Sequence, residues 1–308
     1  MLRALLFVTS ITLLIIQTTF APKAFSQSAL KLVKLSPAAY PPEILKEKQA
    51  PAPSNDGLPD GLIATHPTGD IREAWYSGPT TRYRHAILGD GVEAGVLKVK
   101  NKRGATLSVR LPRNEVFEDR TPRLVDLDDD GKVEVVTIRS SVAKGAGVTI
   151  YGLDNGFLVK KASTSFIGRA NRWLNIAGIA PYAGVRGKEI AYVLTPHIGG
   201  TLMMIKYHKG KLVPFARAKG FSNHVIGSTE MRLSASVDVT GDRKLDLAVP
   251  SANRKSLKII SITKSGPKVV QTIALPAAIN KAIAPITTNQ STGFVVGLEN
   301  GEVYQISK

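Results

Sequence analysis

The chain contains no cysteine. That excludes disulfides, thiolate zinc sites, a cysteine nucleophile and a lipidated N-terminal cysteine. It has no run of five or six like charges, so the formal net charge of +17 defines no basic tail or nucleic-acid patch. No two of its five histidines stand at i, i+4, so no helical zinc motif exists. No Gly-x-Ser-x-Gly elbow occurs, and Gly89-Asp90-Gly91-Val92-Glu93-Ala94-Gly95 fails the dinucleotide spacing. Long apolar runs are confined to the first residues.

Those residues read as a secretory signal over 1–26. Arg3 supplies the positive start, Ala4 to Ile16 the short apolar core, and Ala24-Phe25-Ser26 the small residues before a cut after Ser26. The core is too short for a comfortable membrane span. A periplasmic or secreted monomer with no integral membrane segment after cleavage is the expectation. The net charge would favour encounter with polyanions. Residues 27–60 are expected to be a linker, because Pro37, Pro41-Pro42, Pro51 and Pro53 interrupt regular structure.

From residue 61 to 308 the pattern is short strands separated by Gly, Asn and Asp turns. Four hairpins are predicted, turning at Arg103-Gly104, Asp154-Asn155-Gly156, Lys209-Gly210 and Ser265-Gly266. A loop-then-strand unit recurs. Asp126-Leu127-Asp128-Asp129-Asp130-Gly131-Lys132-Val133-Glu134 places acids at positions 1, 3, 5 and 9 before Val135-Val136. Asp238-Val239-Thr240-Gly241-Asp242-Arg243-Lys244-Leu245-Asp246 repeats the oxygens before Leu247-Ala248. Such loops suit a hard cation. Weaker copies end at Glu93, Glu189 and Gly293. Spacings of about 40–60 residues in an all-strand context suggest propeller blades. An all-β five-bladed propeller is therefore expected. The last copy lacks an outer strand, and Ile71–Tyr76 is the segment expected to supply it and close the ring. Six blades, or a β-sandwich with an insertion, are the alternatives.

The two acidic loops resemble those of FG-GAP and VCBS-type repeats, found in the propeller of integrin α-chains and in many exported bacterial proteins. The resemblance implies structural Ca²⁺ held by Asp126, Asp128, Asp130, Glu134 and the Lys132 carbonyl. In the second loop it implies Asp238, Thr240, Asp242, Asp246 and the Lys244 carbonyl. Arg243 stands where that family usually has Gly.

Basic and aromatic residues precede several copies: Arg82, Tyr83 and His85; Arg172 and Trp173; Arg232. His197 and His224 lie in loops. Equivalent positions of a propeller converge on one face, so these eight residues form a candidate ligand funnel. The composition carries no recognisable catalytic constellation. A non-catalytic binding module for an anionic glycan or protein of the envelope or extracellular space is the expectation. A polyanionic-glycan hydrolase or lyase is the alternative, favoured if the histidines and arginines converge around carboxylates.

Overall fold

The computed structural model describes residues 29–40, 49–53, 55–263, 265–288 and 291–308. The segment expected to be a secretory signal, residues 1–26, lies outside the described residues. What is described is all-β, with only a 3₁₀ turn at Pro37–Ala39. No helix among the described residues is long and apolar enough to cross a membrane.

Among the described residues, twenty-one strands form four antiparallel sheets, none closed on itself. The first strand, β1 (Lys31–Leu35), belongs to the last sheet. The nine-stranded sheet holds two four-stranded runs. One is β2 (Ala64–Thr65), β3 (Ile71–Thr80), β4 (Glu93–Asn101) and β5 (Thr106–Arg110). A short strand, β6 (Glu115–Phe117), pairs with β4 and joins this run to the next. That run is β7 (Arg123–Val125), β8 (Glu134–Ser141), β9 (Gly145–Asp154) and β10 (Phe157–Ser163), with β6 also bonded to β8. The second sheet is β11 (Leu174–Ala180), β12 (Glu189–Leu194), β13 (Thr201–His208) and β14 (Lys211–Lys219). The third is β15 (Ala235–Val237), β16 (Asp246–Pro250), β17 (Ser256–Thr263) and β18 (Gly266–Ala274). The fourth is β19 (Ala284–Thr287), β20 (Thr292–Gly297) and β21 (Val303–Ser307), with β1 at its outer edge.

Burial explains this arrangement. The second strand of each later run, such as β8, β12 and β16, is buried almost throughout. A strand buried on both faces reads as a continuous apolar run and needs a layer on each side. The outer strands β5, β14 and β18 hold one buried residue among them and carry exposed Lys, Arg and Thr. The cores lie between runs that follow one another in the chain. Val99 shares a cluster with Val135, Ile150 with Ile190, Val193 with Val249, and Ile259 with Phe294. Each buried Ile or Val side chain contributes roughly 1.5–3 kcal/mol.

The four predicted hairpins are present as β4–β5, β9–β10, β13–β14 and β17–β18. Asn155 and Gly156 both take positive φ, as do Lys209 and Gly210. That is the geometry of a two-residue turn matched to strand twist.

Two expectations are corrected. Ile71–Tyr76 does not complete the last sheet. It lies in β3, already bonded to β2 and β4. β1 takes the outer place instead, running antiparallel from Lys31↔Ser307 to Leu35↔Val303. The stretch read as a linker therefore carries the outer strand of the last sheet. The first repeat copy is also displaced by one strand. Glu93 opens the third strand of its run, and the loop equivalent to the acidic loops is His66–Asp70.

Candidate functional site

First-to-second-strand connections gather along one edge of the sheets. Second-to-third and run-to-run connections gather along the other. Each edge has its own chemistry.

On the first edge the position-9 acids lock their loops. Glu134 Oε2 accepts the Leu127 N–H at 2.9 Å. Asp246 Oδ2 accepts those of Val239 and Thr240 at 3.0 and 2.9 Å. Glu189 Oε2 accepts that of Ala183 at 3.1 Å, in a loop that lacks the other acids. Position 1 behaves alike in both acidic loops. Asp126 accepts the N–H groups of Asp130 and Gly131, and Asp238 those of Gly241 and Arg243. Asp130 and Asp242 each accept the N–H two residues on, from Lys132 and Lys244.

Asp128 differs. Its Oδ1 is buried without a hydrogen-bond partner. Burial, then the charges of Asp130 and Asp126, push its carboxyl above the usual range. Burial and the same loop carboxylates push Glu134 up to about 7, against the opposing Leu127 bond. Ligand oxygens of Asp126, Asp128 and Asp130 lie within 4.8 Å of one another. An orphaned oxygen among three converging carboxylates fits a hard cation. The loop at Asp238 has the same frame, but Thr240 replaces the orphaned acid. Its Oγ1 stands 3.5 Å from Asp238 Oδ1.

These loops also touch their neighbours. Asp129 accepts the Gly187 N–H at 2.7 Å and pairs with Lys188 at 2.9 Å. Asp70 accepts the Val133 N–H at 2.8 Å.

The other edge holds a cavity of about 250 Å³. His85 and Ile87 reach it from the β3–β4 connection, Arg172 and Trp173 from β10–β11, Thr195, His197 and Ile198 from β12–β13, and Ile226 from β14–β15. The Trp173 ring is buried, parallel to His197 at 6.2 Å, with His224 edge-on at 4.7 Å.

A carbonyl fixes the histidine tautomers. Ser228 O can only accept, so His224 Nε2, at 2.8 Å, carries a proton. Neutral His224 then has a bare Nδ1. His197 Nε2 donates to it at 3.0 Å, leaving His197 Nδ1 as an acceptor. Both rings are neutral at pH 7. Burial, followed by His224, Arg254 and His85, holds His197 down to about 3. Burial and Arg254 hold His224 down to about 4.

His85 leans on a buried acid. Its Nδ1 lies 2.5 Å from Glu118 Oε1, and Ser140 Oγ donates to Glu118 Oε2. Burial raises the Glu118 carboxyl, and His85 and Ser140 oppose the rise. Trp173 Nε1 donates to the Glu118 carbonyl at 3.0 Å, tying cavity wall to dyad. Tyr83 lies edge-on to His85 at 5.7 Å, and its hydroxyl accepts the Asn171 N–H. Nearby Glu93 is buried and pushed up to about 10, by burial first and then by Glu118 and Asp90.

Backbone strain marks the same edge. Ala86, Asn171, Thr195 and Arg254 all have positive φ. For a β-branched residue such as Thr195 that is an uncommon and costly conformation.

Six of the eight funnel residues therefore converge: Tyr83, His85, Arg172, Trp173, His197 and His224. Two do not. Arg82 is turned toward β6, where its Nε donates to the Glu115 carbonyl at 2.9 Å. Arg232 grips Glu230 at 2.7 and 2.6 Å and lines a different cavity, of about 420 Å³, with Arg123 and Ile176. Glu118, Glu93 and Arg254 were missed. The run Glu118-Asp119-Arg120, charged yet immediately following the apolar strand β6, was the available signal.

No family model matches this chain, and no curated protein matches it.

Proposed function

We propose that the protein is an exported, non-catalytic β-propeller of the FG-GAP/VCBS type that binds a ligand of the cell envelope or extracellular space. The convergence of His85, Arg172, Trp173 and His197 on one cavity carries this reading. Five four-stranded runs with cores between successive runs support five blades, with β1 completing the last. The strained backbone around the cavity is the kind of pre-organisation a binding site maintains.

In the same reading, Ca²⁺ is structural. Asp126, Asp128, Asp130, Glu134 and the Lys132 carbonyl would hold one ion. Asp238, Thr240, Asp242, Asp246 and the Lys244 carbonyl would hold a second, less charged site. The ion relieves repulsion among the loop carboxylates; the protein residues set the strand ends around it.

Retention of the purified protein on immobilised envelope fractions tests the reading. Wild-type protein is expected to be retained, and Arg172→Ala with His197→Gln to lose retention while remaining folded by circular dichroism at neutral pH. Equal retention of both forms would count against this cavity.

The buried Glu118–His85 pair favours a second reading, a polyanionic-glycan hydrolase or lyase with His85 as base. Release of reducing ends or of unsaturated uronates from acidic glycans, abolished by His85→Gln, would establish it.

A further inference from the structure

We infer that the cavity receives one apolar side chain from an acidic segment of a partner protein. This rests on the binding reading above and names the partner's chemistry.

Size comes first. About 250 Å³ falls below the roughly 300–1,000 Å³ usual for small-molecule sites, and suits a single large side chain. The walls come second. Ile87 and Trp173 are buried at the cavity, while Ile198 and Ile226 stand 61 % and 66 % exposed at its rim. Two exposed isoleucines flanking a buried indole make an apolar anchor pocket, the form an interface hot spot takes. Ile87, Trp173, Ile198 and Ile226 thus form an apolar centre beside the polar His85, Asn171, Arg172, Thr195 and His197.

Charge comes third. The connections around the cavity carry Arg84 and Arg169, both exposed, and Arg172. Arg254 lies close enough to disfavour protonation of both cavity histidines. The acids in these connections are Asp90, which caps the Val92 N–H at 2.9 Å, and Glu230, already gripped by Arg232. Glu118 is buried against His85. The connections that build the cavity therefore carry an excess of basic residues, with Arg172 at the cavity itself. Carboxylates flanking an apolar anchor complement it. His197 Nδ1, left as an acceptor by the His224–Ser228 relay, can take a backbone N–H of the inserted segment.

The test uses synthetic pentapeptides Ac-Glu-Asp-Φ-Glu-Asp-NH₂, with Φ as Leu, Phe or Ala, and a Lys-flanked Leu control. Binding is read by calorimetry and by tryptophan emission, since Trp173 walls the cavity. The Leu or Phe peptide is expected to bind at least about tenfold tighter than the Ala and Lys-flanked peptides. Ile226→Asp and Ile198→Asp, both exposed, are each expected to weaken it about tenfold without lowering the melting temperature. Equal binding of the Ala-centred or Lys-flanked peptide, or none by any peptide, overturns the inference. Envelope retention that survives Ile226→Asp while the peptides fail overturns it and leaves the wider binding reading standing. Absence of any retention removes that reading as well.

Discussion

The side-chain amide of Gln271 holds the backbone of Leu30 from both sides. The Leu30 N–H donates to Gln271 Oε1 at 3.0 Å, and Gln271 Nε2 donates to the Leu30 carbonyl at 3.1 Å. The two residues are 241 positions apart. Leu30 is buried in the core shared by the third and fourth sheets, and β1 follows directly. Gln271→Ala leaves two backbone groups short of partners and is expected to cost about 1–3 kcal/mol, lowering the melting temperature by several degrees. Removing residues 29–35 is expected to do more. It bares the β21 edge, and concentration-dependent aggregation on light scattering should follow.

Calcium should act through Asp128. Ca²⁺ at about 100 times its dissociation constant is expected to add roughly 2.7 kcal/mol, and excess chelator to remove it. Asp128→Asn separates structure from binding. It removes a crowded charge, so the metal-free protein should melt no lower than wild type, yet it should lose most of the Ca²⁺-dependent rise. An Asp128→Asn protein with the full wild-type response to Ca²⁺ contradicts the assignment.

Arg243 sits at φ 68°, where the first loop has Gly131 at φ 85°. A side chain in that region costs about 1–2 kcal/mol, partly offset by the extra freedom of glycine in the unfolded chain. Arg243→Gly is expected to stabilise by about 0.5–1 kcal/mol in thermal melts, and Gly131→Ala to destabilise. A lower melting temperature for Arg243→Gly would show that the Arg243 side chain contributes something the strain argument omits.

Stability should fall on both sides of neutrality, for different reasons. His197 and His224 are held near 3 and 4 when folded, against 6.5 otherwise. Their contribution is whole above pH 6.5 and declines as pH falls toward 4, because the unfolded chain binds protons first. Glu93 is raised to about 10 from 4.5, so its contribution is whole below pH 4.5 and declines as pH rises toward 10. In melts across pH 4–9, His197→Gln should flatten the acid side and Glu93→Gln the alkaline side. Parallel curves for wild type and both variants would refute the burial of these groups.

Much of the strand order was legible because local chemistry wrote it down. Asn155-Gly156 and Lys209-Gly210 carry their turn geometry in two residues. Asp126–Glu134 and Asp238–Asp246 carry theirs in nine. What was missed depends on distant partners. Lys31–Leu35, with lysine at two of its five positions and proline at 37, becomes a strand only because β21 offers an open edge. The first run misled because its loop, His66–Asp70, is short and holds a single acid, Asp70, while Glu93 imitates a loop-ending acid at the wrong strand. At the site, the histidines and Trp173 announced themselves as loop residues. Glu118 could not, since its partners His85, Ser140 and Trp173 come from three other segments.

The absence of cysteine makes the pairing of β1 with β21 directly measurable. Val33 and Gln305 are opposed across β1 and β21. The double substitution Val33→Cys with Gln305→Cys, oxidised and run on a non-reducing gel with size-exclusion chromatography, should give a monomer with one intrachain disulfide and a raised melting temperature. Free thiols after oxidation, or disulfide-linked dimers in place of the monomer, would contradict a chain whose own first strand completes its last sheet.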